Sequence, residues 1–322
     1  MRTLLITDLH FTPTPVGLLE AQRNCILRLL EEEEYEDVII MGDLMMHRKP
    51  TPSVLLALKS VVDWCKKHSK PLTILRGNHD SETKADDGVT ALSLFDYHAK
   101  VITKTWFDPT TKRAFIPHYE NEEHIKKDLD SVPNGYTMFG HFGYRGSLNS
   151  AGDADFNLSL SDFRTTSYLG HVHGYVSKEK VTILGTPYST NFGETLKENF
   201  YGILSEDGLE LKTLNYGPRH LIYNVKNLNQ NLEEINNPHY FTMLRVLIDS
   251  DHTPIPYEDL KVAHIDTKYT PTFDEEKLSS YVPERDLFAI NEMIIQDYIN
   301  EANTTLPKEL LMQGYRLLLD ED

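Results

Sequence analysis

The chain of 322 residues exceeds what one hydrophobic core usually serves, so one large domain with one or two smaller pieces is expected. Forty percent apolar and 25% charged residues describe an ordinary globular protein, but a formal net charge of -17 argues against holding nucleic acid by bulk electrostatics, which needs clustered Lys and Arg. An anionic substrate would then require local positive charge, from a basic patch or from bound metal.

T-L-L-I over residues 3–6 reads as a short buried strand, and the apolar run before Asp8 is too short for a signal peptide. A helix is predicted over about 16–34, where Leu18, Leu19, Gln22, Cys25, Ile26, Leu29 and Leu30 recur at helical spacing. The run E-E-E-E-Y-E-D (31–37) is expected to be a solvated helix end rather than a metal site. D-V-I-I-M (37–41) is a second strand, and Ser53 is the expected N-cap of a helix reaching about Lys67. That helix carries Val54, Leu55, Leu58, Val61, Val62 and Cys65 on one face. P-L-T-I-L (71–75) is a third strand, and this alternation predicts a parallel sheet covered by helices. With both cysteines in helical apolar stripes, neither a disulfide framework nor a thiolate metal site is expected, and a reducing cytoplasm fits. No apolar stretch is long enough to span a bilayer, so a soluble cytoplasmic protein is expected.

Past residue 95 come shorter apolar runs, K-V-I-T, R-A-F-I-P, Y-T-M-F-G, S-Y-L-G and V-T-I-L-G, predicting a second strand-rich layer. The longest loop, about 143–161, is rich in Gly, Ser, Asn and Asp, a length usually functional or mobile. Residues 218–275, with strand-like Y-F-T-M-L-R-V-L-I at 240–248, predict a small α+β module. Two amphipathic helices, about 284–301 and 306–319, close the chain; Leu287, Ile290, Ile294 and Tyr298 stripe the first, with Phe288 and Ile295 beside them.

The polar residues gather at strand ends. The first strand leads into Asp8 and His10, the second into Asp43, the third into Asn78 and His79, and later ones into His141 and into His171 and His173. In an open α/β sheet the carboxyl ends of strands converge on one crevice. Taken singly, each residue has an ordinary reading as a cap, a turn-former or a core histidine. Jointly, five strand ends that all supply metal-type ligands make a site the better reading. The donors are imidazole and oxygen without thiolate, which suits manganese, iron or zinc and does not resemble a calcium cage. Seven ligands, Asp8, His10, Asp43, Asn78, His141, His171 and His173, are too many for one tetrahedral ion and right for two sharing a carboxylate, for which Asp43 is the natural bridge. Two ions about 3.5–4 Å apart clamp the attacking and leaving oxygens of an in-line displacement at phosphorus and lower the pKa of a bound water, so phosphoester hydrolysis is the expected reaction.

The series D-x-H, G-D, G-N-H-D, G-H and G-H-x-H over residues 8–173 resembles the calcineurin-like metallophosphoesterase superfamily. The resemblance implies a four-layer α-β-β-α sandwich, with Asp8, His10, Asp43 and His173 on one ion and Asp43, Asn78, His141 and His171 on the other. It puts His79 outside the coordination sphere, stabilising the transition state or protonating the leaving oxygen, with Asp80 orienting its ring. G-D-L-M-M-H-R-K-P, G-N-H-D and G-T-P-Y-S (185–189) look like the SbcD-type nucleases of double-strand-break repair, in which a histidine after G-D handles the DNA strand; here that is His47. In length and tail the chain is most similar to the small subunits of tailed-phage recombination exonucleases. The resemblance implies a nuclease domain over 1–217, a DNA capping domain over 218–275 and a C-terminal helical region over 276–322 that docks on an SbcC-type coiled-coil ATPase. It further implies two divalent ions, manganese with magnesium as the alternative, DNA ends as substrate, and a homodimer within a heterotetramer. The alternatives are a stand-alone phosphodiesterase or phosphatase on small molecules, and a dimerising scaffold with vestigial chemistry, in which Val54, Leu58 and Val62 serve dimerisation.

Overall fold

The computed structural model describes residues 1–147, 156–195, 197–248 and 254–269. The predicted C-terminal helices of 284–301 and 306–319, and the region 276–322 expected to dock on an ATPase, lie outside the described residues, as does the middle of the long 143–161 loop.

The first three strands form at Thr3–Ile6, Asp37–Ile40 and Leu72–Leu75, paired in parallel in that order and extended in parallel by Lys100–Ile102. Antiparallel strands Tyr201–Ser205 and Gly208–Lys212 complete this six-stranded sheet on the other side of Thr3–Ile6. A second six-stranded sheet runs in the order Trp106–Asp108, Arg113–Ile116, Thr137–His141, Ser167–Gly170, Val181–Ile183 and Val176–Lys178.

The layering follows from the two-residue period of strand side chains. Leu4 and Ile6, Val38 and Ile40, and Leu72 and Ile74 point into one core with the helices Leu18–Glu32 and Pro52–Lys67. Their neighbours Leu5, Ile39 and Leu75 point the other way, into a core shared with Phe115, Phe139 and Tyr168 of the second sheet and with Leu184 just beyond it. The opposite face of the second sheet, with Ala114, Ile116, Met138 and Leu169, packs on Ile125 and Leu129 of the helix Glu122–Ser131. Three apolar layers between four structural ones give the expected α-β-β-α sandwich. Full burial of a Leu or Ile side chain contributes about 1.5–3 kcal/mol, so a one-residue slip in any of these strands would exchange two cores at once.

Both long helices form as predicted, with one difference in capping. The second helix begins at Pro52 with Thr51 in the N-cap position, not Ser53. Proline suits the first helical position because its missing N–H needs no partner there. Val54, Leu58 and Val62 are buried in the helix-side core, which removes them as a dimerisation surface. The acidic run is also divided: the helix ends at Glu32, Glu33 accepts bonds from Tyr201 and Lys212, and Asp37 opens a strand where it pairs with Arg113. Gln22, in the apolar stripe, is a polar exception. Its amide oxygen accepts from the Thr12 N–H at 3.0 Å and its NH2 donates to the carbonyls of His10 at 3.0 Å and Leu9 at 3.3 Å, tying down the loop that leaves the first strand.

Strands Gly217–Asn224, Tyr240–Ile248 and His264–Tyr269 make a separate, parallel three-stranded sheet with the short helix Leu232–Ile235. Leu244, Val246, Val225, Leu228 and Ile235 give it a core of its own. Residues Met1–Thr270 nevertheless form one compact unit, and the small sheet meets the sandwich where the His220 N–H donates to Ser189 Oγ at 2.9 Å.

Candidate metal centre

Three adjacent strands of the first sheet and two adjacent strands of the second end on the same side of the sandwich, and each end carries one or two of the expected ligands. Main-chain bonds then zip the first two loops together: the N–H groups of Asp8, His10 and Phe11 donate to the carbonyls of Gly42, Asp43 and Leu44 at 2.9–3.0 Å. Asp8, His10, Asp43 and His171 all have positive φ, between 46° and 84°, a region costly for residues other than glycine and concentrated at functional sites. Two glycines permit the approach. A Cβ on Gly42, itself at φ 99°, would stand inside the His141 ring, and one on Gly77 would collide with the Asp43 carboxylate.

The seven residues fall into two adjoining groups. Asp8, His10 and His173 bring one donor atom each within 4.8 Å of one another, and so do Asp43, His141 and His171. The Asn78 Oδ1 lies 3.2 Å from His141 Nε2 and 3.1 Å from His171 Nδ1, placing it with the second group. Asp43 lies between the groups: its Oδ2 is 3.8 Å from His10 Nε2 and its Oδ1 is 3.4 Å from His141 Nε2. A carboxylate with one oxygen toward each group is what a bridging ligand requires.

Further atoms orient these donors. Thr7 Oγ1 donates to Asp8 Oδ2 at 2.6 Å, and the His171 N–H donates to the same carboxylate. His141 Nδ1 faces the Met41 carbonyl at 2.6 Å, and His173 Nδ1 faces Glu194 Oε1 at 2.5 Å, so each ring presents Nε2 inward. The donor set fits divalent ions: His10 Nε2 and His173 Nε2 lie 3.0 Å apart in a buried place crowded with acceptors, and the neutral imidazole and carboxylate donors match borderline to hard metals. Burial holds the His10 imidazole down to about 4, against the pull of Asp43, so it stands neutral and ready to ligate.

His141 behaves oppositely. Burial alone would lower it, but the Asp43 carboxylate raises it from 6.5 to about 9, while Asp43 is held well below the carboxylate range despite its own burial. In the metal-free chain a proton therefore stays on this pair. Because the folded value is raised, its stabilisation is fully present below 6.5 and is lost as pH rises through about 9. The same proton must leave before Nε2 can bind a metal, so ion affinity is expected to rise with pH up to about 9, with proton release on binding at pH 7. Titration calorimetry in buffers of different ionisation enthalpy measures this, and loading without proton release would contradict it.

His79 and Asp80 part company. The His79 N–H donates to Asp43 Oδ1 at 2.8 Å and its Nδ1 faces the Met46 carbonyl at 2.6 Å, leaving Nε2 without a protein partner among the described residues. The ring is edge-on to His10 at 4.9 Å, and its donor atom lies within 4.8 Å of His10 and Asp43 donors. Asp80 does not orient that ring. Its buried carboxylate accepts instead from the N–H groups of Leu44 at 3.0 Å, Met45 at 3.2 Å and Gly77 at 3.0 Å, fastening the Asp43 loop to the Asn78 loop. Burial and the nearby Asp43 charge raise Asp80 to about 7, against those three bonds. Asp80→Ala strands three buried donors at about 1–3 kcal/mol each. Chemical denaturation should show a loss of at least about 2 kcal/mol, and a change under about 0.5 kcal/mol would refute the fastening role.

His47 stands apart from the ligand groups. It is exposed, and with Phe11, Thr12, Pro13 and Lys49 it lines a cleft of about 100 Å³. Its neighbour Arg48 is engaged with Glu120 at 2.7 Å and with the Thr83 carbonyl at 2.7 Å.

Two site residues escaped the sequence reading. His118, buried beside His141 and His171, carries two ring nitrogens without a hydrogen bond among the described residues. R-A-F-I-P-H bears the same mark as the ligand segments, an apolar strand followed by a polar residue, and so was findable. Glu194 had no such mark, being in a loop 21 residues from the histidine it touches.

A two-sheet α/β sandwich with two adjoining Asp, Asn and His groups at its strand ends defines a metal-dependent hydrolase site. The family model for calcineurin-like phosphoesterase matches residues 1–202, and the chain belongs to that family of phosphoester hydrolases, which use divalent metal ions. No curated protein matches the chain. Among solved structures it is similar to the Pseudomonas putida nuclease MPE, with 21% identity over 67% of this chain and 77% of that one and a TM-score of 0.30, a likeness too low to bear on activity. No helix among the described residues is long and apolar enough to cross a membrane.

Proposed function

We propose that this chain is the nuclease subunit of a DNA-end-processing assembly, hydrolysing phosphodiester bonds with two divalent ions, manganese or magnesium, and working with an SbcC-type coiled-coil ATPase. The observation that carries the reading beyond the family is the extra three-stranded sheet at Gly217–Tyr269, which follows the family-matched region and packs beside the loop that supports His173. An added module next to the site suits a polymeric substrate, and G-T-P-Y-S, G-D-L-M-M-H-R-K-P and G-N-H-D support the same branch. Asp8, His10, His173 and Asp43 would hold one ion, and Asp43, Asn78, His141 and His171 the other. When bound, such ions polarise the phosphoryl group and activate water near neutral pH. His79, with Nδ1 on the Met46 carbonyl and a ring donor within 4.8 Å of those of His10 and Asp43, stabilises the developing charge or protonates the departing oxygen. Asp80 has the loop-fastening role instead, and His47 is assigned to handling the DNA strand from its exposed position.

The net charge of -17 leaves DNA affinity dependent on the ATPase and on a second copy of the chain, in the homodimer within a heterotetramer expected of this branch. The same charge is the one observation favouring the second reading, a stand-alone phosphodiesterase on small molecules. The test is hydrolysis of linear duplex DNA with manganese, with and without the ATPase, beside a nitrophenyl phosphodiester. Partner-stimulated degradation of DNA is expected; rapid hydrolysis of the small diester with inert DNA under all conditions would favour the second reading.

A further inference from the structure

Arg113–Ile116, Thr137–His141 and Ser167–Gly170 are adjacent parallel strands of the second sheet, and each delivers a histidine at or just past its carboxyl end: His118, His141 and His171. The last two belong to the second ligand group, whereas His118 does not. Its ring is stacked on that of His171 with centroids 5.7 Å apart, and stands edge-on to His141 at 6.3 Å and to Phe156 at 6.0 Å. His118 is 5% exposed, and neither ring nitrogen has a hydrogen-bond partner among the described residues. Glu120 Oε1 is 3.9 Å from its Nε2, out of hydrogen-bond reach, and is engaged by Arg48 at 2.7 Å. A ring that merely filled this space would serve better as phenylalanine, which leaves no buried nitrogen unsatisfied. The backbone of His118 is bound to Arg76, which is 1% exposed: the Arg76 carbonyl accepts from the His118 N–H at 3.0 Å, and the Arg76 guanidinium donates to the His118 carbonyl. That guanidinium lies 5.8 Å over the Tyr119 ring, yet its Nε is unpartnered and it makes no ion pair among the described residues. A buried cation without a counter-ion is unfavourable until an anion approaches.

We propose that His118 is a further catalytic residue, donating a ring N–H to a non-bridging oxygen of the phosphoryl group held at the Asn78, His141 and His171 group, with the Arg76 charge favouring that anion. This rests on the dinuclear phosphodiesterase reading above. An imidazole carries at least one N–H in either protonation state, so the donor is always present. The His118 nitrogens fall outside the sets of donor atoms that come within 4.8 Å of one another, so an oxygen on the ion, rather than the ion itself, is what they reach. A donor preset in a buried site stabilises charge that grows in the transition state without reorganising. In a chain of net charge -17, His118 and Arg76 supply part of the local attraction that a phosphodiester needs.

The test is calorimetric titration of the manganese-loaded full chain with inorganic phosphate, for wild type, His118→Phe and His118→Gln. Ion content, thermal unfolding of the metal-free chain and kcat on a nitrophenyl phosphodiester are measured beside it. His118→Phe keeps an aromatic ring and removes both nitrogens. It is expected to keep the ion content and melting temperature of wild type, to bind phosphate about 10- to 100-fold more weakly and to lose about 10²- to 10³-fold in kcat. His118→Gln, which keeps an N–H donor, is expected to recover part of both losses. Unchanged phosphate affinity in His118→Phe would overturn the proposal. So would a lost ion, which would make His118 a ligand, or a lower melting temperature, which would show that its nitrogens are partnered in the free chain. In wild type loaded with diamagnetic magnesium, phosphate should shift the 15N and 1H signals of the His118 ring, and unmoved signals would overturn the assignment even if neither variant folded. A wild-type chain that binds no manganese would instead defeat the dinuclear reading itself, so the two failures are distinguishable.

Discussion

Asp43→Asn is expected to remove the second ion and to lower phosphodiester hydrolysis by about a thousandfold. The magnitude follows from the several kcal/mol that an ion contributes to stabilising transition-state charge, at 1.36 kcal/mol per factor of ten in rate. The substitution preserves side-chain shape, so the His79 N–H retains an acceptor, but it removes an anion with an oxygen toward each histidine group. It also takes away the charge that raises His141, whose imidazole should then titrate well below its wild-type value. Ion counting by mass spectrometry beside an activity assay reads both effects. Two retained ions with near wild-type hydrolysis would refute the bridging role.

His79→Ala is expected to cost about 10²- to 10⁴-fold in kcat, the usual range for a positioned acid or base, while both ions still bind. The distinction from Asp43 rests on geometry: the His79 side chain spends Nδ1 on the Met46 carbonyl, and the hydrogen bond that it gives Asp43 comes from its main-chain N–H, which alanine keeps. A ligand loss and an acid loss therefore separate in one pair of measurements, ion content and turnover. Equal degradation of linear DNA by wild type and His79→Ala would remove His79 from the chemistry.

The strand-end pattern made the ligand set legible because each ligand follows an apolar run within four residues, and parallel strands leave their carboxyl ends on one side. The first three strands and two long helices were equally readable, since Leu4, Val38 and Ile74 belong to dense apolar runs. The edge strands Trp106–Asp108, Val176–Lys178 and Gly208–Lys212 were not, because they are short and half exposed and lack an apolar run. The helix Glu122–Ser131 was missed for a related reason: only Ile125 and Leu129 are buried in it, too few to mark a period. The role of Asp80 was misread because sequence adjacency to His79 suggested a partnership, whereas the backbone turns the carboxylate toward the N–H groups of Leu44, Met45 and Gly77. Glu194 shows the same limit from the other side, since contacts between distant loops leave no local trace.

The most direct measurement is the number of divalent ions bound by the purified full chain after dialysis against manganese, taken together with its phosphodiester hydrolysis before and after chelation. Two ions per chain, with hydrolysis abolished by chelation and restored by manganese, is the expected result. A chain that binds one ion or none, or that hydrolyses the diester equally well after chelation, would contradict a dinuclear centre built on Asp43.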